Sequence, residues 1–322
     1  MSTSTAKYVA LCLLVLQNSL MILMLRFSRK VPTNGPRYVS TSVVFLSETL
    51  KFTTSLVVIF CQSNYNFKKF FHDIHGATLG RPFDFFKIAV PSGIYAVQNN
   101  LLFIALSYLD AATFQISYQL KILTTALFSV LLLKKSLSSV QWGSLVFLMI
   151  GVAMVQFPTD ADAKTDIVWS NHLFGLFVIL IACMSSGFAG VYFELLLKQQ
   201  TFSLWVRNLQ MGGFGIIFAG IQMCWNDGEA VSKYGILQGY NSAVVMVLLL
   251  QAYGGLLVAY VIQFTDNIIK GFATSLAIIV SYFLSYLMLD DLHPTLLFTC
   301  GAAIVVMSTF LYGQNGQRVK SN

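Results

Sequence analysis

Apolar runs of about 20 residues recur along nearly the whole chain, and short polar segments separate them. A run of that length can cross about 30 Å of hydrocarbon as an α-helix, because each residue adds about 1.5 Å. The pattern therefore predicts an all-α integral membrane protein with ten transmembrane helices. Their predicted bounds are 8–26, 39–61, 85–108, 110–133, 139–157, 172–197, 204–225, 242–263, 268–289 and 295–313.

The composition excludes an ordinary soluble domain. Of the 322 residues, 56% are hydrophobic and only 10% are charged, whereas soluble chains carry about 25% charged residues. The net charge of +7 is typical of basic cytosolic loops, so we predict no binding to nucleic acid. With a cytosolic N-terminus, twelve Lys and Arg residues lie on the cytosolic side and six on the other, although the first loop is basic. Both termini are therefore predicted to be cytosolic.

Two segments with the same pattern lie in opposite halves of the chain. Residues 131–152 and 287–306 each contain a helix end, a short charged turn, a leucine and the start of another helix. This similarity predicts two five-helix repeats, at 1–157 and 158–322. Because five is odd, the repeats must insert with opposite orientations. Inverted repeats are typical of transporters that bind substrate near the membrane midplane.

One charge interrupts the apolar run from 111 to 133, and it is Lys121. An unpaired ammonium inside a bilayer costs at least a few kcal/mol, so such residues are candidates for function. One explanation is a buried ion pair with Glu48, which lies three residues before Lys51 on one helix face. The other is a cavity in which Lys121 and Lys270, from corresponding helices of the two repeats, bind a ligand with about two negative charges, such as a diphosphate.

Uncharged polar residues also lie inside the predicted spans. Asn99 and Asn100 follow Gln98 in the third span, and Tyr118 lies three residues before Lys121 and so on the same helix face. The amides could form hydrogen bonds between helices or contact a nucleobase and sugar. Tyr118 could stack on a base or pack against its neighbours, and both alternatives remain open at this point.

The sixth span contains several small residues in "SSGFAGVYFE", residues 185–194. Ser186 and Gly190 have the four-residue spacing that allows two membrane helices to pack closely. The alternative is backbone left accessible to a ligand. For "QMGGFG" (210–215) and "GGL" (254–256), close packing is the favoured explanation.

No motif indicates an enzyme. The sequence contains no P-loop, no G-x-S-x-G and no zinc-ligand spacing. The "DAD" at 160–162 resembles the metal motif of glycosyltransferases, but it lies in a short loop without a surrounding soluble domain. We therefore predict no catalytic residues, no metal site and no cofactor.

Several long motifs resemble the nucleotide-sugar transporters of the Golgi and endoplasmic reticulum. They include "VPSGIYAVQNNLLFIALSYLDAATFQISYQLKILTTALFSV", "SSGFAGVYFE", "WVRNLQ" and "DNIIKGFATSLAIIVS". The similarity runs from about Tyr8 to Gly313. It implies the drug/metabolite transporter superfold, with ten helices in two inverted repeats. It also implies exchange of a cytosolic nucleotide sugar for a luminal nucleoside monophosphate.

The resemblance implies a substrate site as well. By correspondence with the family's motifs, two lysines approach the phosphates and the other positions line the nucleotide site. Glu48 and Lys51 are a candidate gate or charge partner for that site. The implied substrate-binding residues are Lys121, Lys270, Tyr118, Asn99, Asn100, Gly187, Gly190, Tyr192 and Asn208.

The substrate implied is a UDP-sugar exchanged for UMP. Most motifs are similar to those of UDP-N-acetylglucosamine transporters, but Phe114 matches the UDP-galactose type and Gln263 replaces a basic residue common among relatives. Exchange of CMP-sialic acid for CMP and a scaffold subunit for glycosyltransferases are the alternatives. Membrane lipid, a second copy of the chain and Golgi glycosyltransferases are expected partners. The tail lacks a KDEL or dilysine signal, which favours the Golgi membrane over the endoplasmic reticulum.

Overall fold

Every regular element in the described part of the chain is an α-helix. The computed structural model describes residues 3–30, 36–78, 80–109, 111–155, 169–199, 202–289 and 295–318. The helices are α1 (Thr3–Lys30), α2 (Ser40–Gln62), α3 (Phe67–Ala77), α4 (Pro82–Tyr108), α5 (Ala111–Tyr118), α6 (Leu120–Leu133), α7 (Ser139–Val155), α8 (Trp169–Lys198), α9 (Leu204–Tyr234), α10 (Ser242–Phe264), α11 (Asn267–Leu289) and α12 (Leu296–Arg318).

Six described segments are long and apolar enough to cross a membrane: Lys7–Leu25, Ser40–Gln62, Leu173–Lys198, Ser242–Phe264, Asn267–Leu287 and Leu296–Gly313. Two further apolar helices, α6 and α7, are shorter. The protein is therefore a multi-pass membrane protein, as the apolar runs predict. The count of ten spans and their inverted arrangement stay a prediction.

Outside the candidate site, the two largest differences between the sequence prediction and the structure concern α3 and α9. The segment 62–84, predicted to be a polar connection, contains α3, whose first turn is capped by Asn66 through hydrogen bonds from the backbone N–H groups of Lys68 and Lys69. Helix α9 ends at Tyr234, nine residues beyond its predicted end, because polar residues do not interrupt a helix. It stops at Gly235, whose φ of 84° favours glycine.

The chain forms two compact units. The first consists of residues Met1–Ala96 and Phe193–Asp266, and the second of Val97–Tyr192 and Asn267–Asn322. Helices α4 and α8 each contribute residues to both units. Packing defines these units, whereas sequence similarity defines the predicted repeats at 1–157 and 158–322, so the repeats stay a prediction.

In the first unit, α2 packs against α9 and α10, and α1 packs against α10. Glycines of α9 make the approach to α2 close: a Cβ at Gly212 would lie 3.2 Å from the Cβ of Phe52. The packing predicted for 210–215 is therefore present. Polar contacts add to it, since Thr41 donates a hydrogen bond of 2.6 Å to the Asp227 carboxylate.

In the second unit, α6, α7, α11 and α12 share one apolar core. Helices α7 and α12 approach through two glycines: a Cβ at Gly151 would lie 2.9 Å from the carbonyl oxygen of Gly301. A Cβ at Gly301 would lie 2.8 Å from the carbonyl oxygen of Gly151. The backbones touch here, so neither position accommodates a side chain.

Replacing Gly151 by alanine is expected to lower the stability of the protein by about 1–3 kcal/mol, because the added methyl group overpacks a contact between two backbones. Gly143→Ala on the same helix is the matched control, since a Cβ there meets no atom within 4 Å. Thermal unfolding of the purified protein in detergent measures both variants. Equal melting temperatures for the two would contradict the close contact of α7 and α12.

Candidate functional site

The run from 111 to 133 is not one helix. It is divided at Gln119 into α5 and α6, so the prediction of one continuous span from 110 to 133 was wrong there. The N–H of Ile122 bonds to the carbonyl oxygen of Gln119 at 3.0 Å, three residues back rather than four. This tighter turn leaves Lys121 in the first turn of α6. Short breaks of this kind within membrane helices are common at binding sites.

Lys121 contacts an aromatic ring across this break. Its ammonium nitrogen lies 4.0 Å from the centroid of the Tyr118 ring, the geometry of a cation–π contact. Such a contact contributes about 0.5–2 kcal/mol, more where water is excluded. It stabilises the charge on the face of the ring without neutralising it. The two residues were predicted to share one helix face; they are in contact, but they belong to different helices.

The hydroxyl of Tyr118 is held by a buried side chain. Gln98 donates a hydrogen bond to it at 3.1 Å. Phe114, one turn earlier, stacks on the same ring with 6.0 Å between centroids. Tyr118 is thus fixed on its ring and at its hydroxyl, and it presents a rigid face to Lys121.

Tyr118 contacts an amide that the predicted site did not include. Gln98 was considered with Asn99 and Asn100, and only the asparagines were placed in the predicted site. In the structure Gln98 is buried, whereas both asparagines are exposed. The Oε1 of Gln98 accepts no hydrogen bond from the described residues and so has capacity left for a ligand. The binding role of Asn99 and Asn100 stays a prediction.

Helix α8 approaches α6 through Gly187. A Cβ at Gly187 would lie 2.7 Å from both the carbonyl carbon and Oγ1 of Thr124, so only glycine allows this approach. Thr124 in turn donates a hydrogen bond of 2.7 Å to the carbonyl oxygen of Cys183. Gly187 therefore has a packing role, which was the first of its two predicted explanations. It brings α8 to the turn that carries Lys121.

The remaining α8 positions lie one turn further on. Gly190 is buried, and the ring of Tyr192 stacks on Phe188 with 5.6 Å between centroids. These contacts lie in the same unit as Tyr118 and Lys121. Contact of Gly190 or Tyr192 with a ligand stays a prediction.

Lys270 also belongs to this second unit and lies in the first turn of α11. It is half-buried, like Lys121. One apolar core contains Ile122 of α6 and Phe272 of α11. Ile122 directly follows Lys121, and Phe272 lies two residues after Lys270. The two lysines thus occupy first turns of two helices that pack in the same core. A helix N-terminus favours an anion, because its N–H groups and dipole carry partial positive charge.

Three predicted residues belong to the first unit instead. Glu48 and Lys51 form an ion pair of 2.5 Å along α2, and Lys51 is buried. Asn208 is buried and donates a hydrogen bond of 3.0 Å to the carbonyl oxygen of Leu204 in its own helix. An ion pair between Glu48 and Lys121 stays a prediction.

Comparison with known families tests whether the motifs indicate family membership. Residues 2–313 match the sequence profile of the family described as "Nucleotide-sugar transporter". The chain belongs to the nucleotide-sugar transporter family. Since the family and the relatives named below are transporters, this chain is a transporter rather than an enzyme.

Named relatives match along almost the full chain. The human UDP-N-acetylglucosamine transporter is 50% identical over 309 residues, covering 95% of each chain. The rat protein of the same name is 49% identical over 313 residues, covering 97% of this chain and 96% of the relative. A mouse UDP-galactose translocator is 46% identical, covering 98% of this chain and 80% of the relative.

One solved crystal structure has the same fold. Its TM-score is 0.68 at 15% sequence identity, and the match covers 98% of this chain and 99% of that one. At this identity the similarity concerns the fold alone.

Proposed function

We propose that this transporter exchanges cytosolic UDP-N-acetylglucosamine, UDP-galactose or both for luminal UMP across the Golgi membrane. The similarity to relatives named for these two sugars supports the choice. Phe114, the residue typical of the galactose type, supports inclusion of the second sugar. CMP-sialic acid and CMP are the competing pair.

The observation that carries this proposal is the contact of Lys121 with Tyr118 beside the break between α5 and α6. The ring partly offsets the cost of a cation inside a span. A phosphate, as an anion, interacts with the ammonium more strongly than an aromatic face does. Phosphate binding therefore competes with, or adds to, the contact to Tyr118.

Lys270 would provide the second positive charge. Two lysines and two helix N-termini suit a diphosphate, whose charge they neutralise where little water is present. UMP keeps the base, the ribose and one phosphate, so the same residues bind both exchanged ligands. Gln98, whose NH2 group donates to Tyr118, would accept a hydrogen bond from a base or sugar at its amide oxygen.

Transport would occur by alternating access. Two inverted five-helix repeats, 1–157 and 158–322, would rock about the site, with both termini in the cytosol. The ligand binds both conformations, and the UDP-sugar and UMP gradients set the direction of exchange. Association with a second copy of the chain and with glycosyltransferases completes the proposal, without a cofactor.

Exchange in proteoliposomes tests the proposal. Vesicles preloaded with UMP are expected to take up labelled UDP-N-acetylglucosamine or UDP-galactose at least about tenfold faster than empty vesicles, because obligatory exchange requires a ligand on both sides. Vesicles preloaded with CMP and supplied with labelled CMP-sialic acid provide the comparison. Faster exchange of the CMP pair, or equal uptake by empty vesicles, would contradict UDP-sugar antiport.

A further inference from the structure

A basic cavity lies in the first unit, and its lining does not include the residues assigned to transport. It has a volume of about 520 Å³, within the roughly 300–1,000 Å³ typical of small-ligand sites. Its walls are the end of α2, the polar face of α3, Arg81 and the segment that begins α9. The nucleotide-site residues implied by the family resemblance do not line it.

The charges in this cavity favour an anion. Lys69 and Arg81 contribute two positive charges and Asp73 contributes one negative charge, with His72 beside them. Ser63 donates a long hydrogen bond of 3.5 Å to the Asp73 carboxylate, which reduces its demand for a cation. The net charge is positive, and Lys69 and Arg81 are exposed on the cavity wall. A phosphate group matches both the charge and the donors.

Buried side chains connect α3 to α9 beside the cavity. Arg207 is 2% exposed. Its guanidinium carbon lies 5.0 Å from the centroid of the Phe202 ring, and the guanidinium carbon of Arg81 lies 5.7 Å from the same centroid. Arg207 donates to Gln210 at 3.2 Å, and Gln210 donates to the carbonyl oxygen of Ala77 at 2.6 Å. The last residue of α3 is thereby tied to α9, so the cavity is formed before any ligand binds.

The two flanks of α3 differ in character. Phe67 and Phe71 are 65% and 64% exposed and lie one turn apart on the same flank. Lys69, His72 and Asp73 lie on the opposite flank, toward the cavity. A short helix that follows a membrane span and exposes two phenylalanines on one flank is typical of the membrane interface. If those rings enter the bilayer, the cavity opens toward water.

We infer that this cavity binds the phosphate of a water-soluble phosphate ester, as an anion site separate from the transport site. It goes beyond the proposed exchange and does not depend on it. A lipid headgroup has the same phosphate chemistry, but the aromatic flank of α3, which suits a membrane surface, lies opposite the residues that line the cavity. The soluble source is therefore the one favoured by the geometry.

Fluorine NMR of protein labelled with 5-fluorotryptophan tests this inference. Trp205 packs on the apolar cluster that contains Ile59 and Val206, two residues of the cavity wall. Trp225, 88% exposed further along α9, and Trp142, in the second unit, serve as internal controls. In neutral phosphatidylcholine nanodiscs, inorganic phosphate is expected to shift the Trp205 resonance saturably. Sodium chloride at equal ionic strength should leave it unchanged.

The variant Lys69→Gln/Arg81→Gln is expected to raise the phosphate concentration for half-maximal shift at least about tenfold, because two charged donors are lost. Lys68→Gln, on the same helix but outside the cavity wall, should leave that concentration unchanged. A Trp205 resonance that matches that of the native protein in the absence of phosphate establishes that the variants are folded around the cavity. A chloride shift equal to that of phosphate, no shift at all, or an unaltered response in the double variant would overturn the inference.

A separate preparation distinguishes the two sources of phosphate. In nanodiscs that contain phosphatidic acid but no added phosphate, the Trp205 resonance is expected at the same position as in neutral nanodiscs. A shift with phosphatidic acid alone would assign the cavity to lipid and overturn the water-soluble source.

Discussion

Replacing Lys121 by glutamine is expected to lower exchange of UDP-N-acetylglucosamine for UMP by about 10- to 100-fold. The loss of a charged hydrogen bond costs roughly 1.5–3 kcal/mol, and about 1.4 kcal/mol corresponds to a factor of ten. Glutamine keeps most of the length and the hydrogen-bonding capacity but not the charge. The initial rate of uptake into UMP-loaded proteoliposomes, at matched protein content, measures the effect.

Two further variants make the result specific. Lys87→Gln, an exposed lysine paired with Asp84 at 2.7 Å, should exchange as the native protein does. Lys121→Arg keeps the charge but replaces a compact ammonium by a planar group, so partial activity is expected. A melting temperature of Lys121→Gln equal to or above that of the native protein separates loss of binding from loss of fold. Full exchange by a folded Lys121→Gln variant would give Lys121 a structural role.

Each of the six described segments that could cross a membrane coincides with a predicted helix, because a spanning helix requires a long apolar run. The break at Gln119 could not be predicted in the same way. No glycine or proline marks it, and the polar residues beside it, Ser117 and Lys121, do not by themselves end a helix. The prediction of α9 ended with its apolar residues, but the helix continues through polar residues to Gly235.

The candidate site shows a second limit. Gln98, Asn99 and Asn100 are consecutive, so their side chains point about 100° apart around α4. Sequence alone does not give the rotation of α4 relative to α5, and this rotation decides that Gln98 contacts Tyr118. Short sequence intervals were more informative. Glu48 and Lys51, three residues apart on α2, form an ion pair. Tyr118 and Lys121, also three residues apart, are in contact although the break at Gln119 places them on different helices.

Glu48 and Lys51 are expected to stabilise the fold only when both charges are present. The two charges lie 2.5 Å apart inside a span, with side-chain exposures of 23% and 10%. The helices opposite leave room for them: a Cβ at Gly215 would overlap the Glu48 carboxylate, and one at Gly255 would lie 3.3 Å from Cδ of Lys51. Removing one charge leaves the other uncompensated, which costs roughly 3–5 kcal/mol for buried pairs.

Lys51→Met alone is therefore expected to destabilise the purified protein by about 3 kcal/mol, and Glu48→Gln/Lys51→Met to recover most of that loss. The pair of Asp84 and Lys87 provides the matched control, because it has the same spacing but lies at the surface. Lys87→Met should cost about 0–1 kcal/mol. Thermal unfolding in detergent measures all variants. An equal loss of stability for Lys51→Met and Lys87→Met would show that the pair in α2 is as well hydrated as a surface pair. If the double variant Glu48→Gln/Lys51→Met recovered stability but not exchange, the pair would be assigned to the transport cycle rather than to the fold.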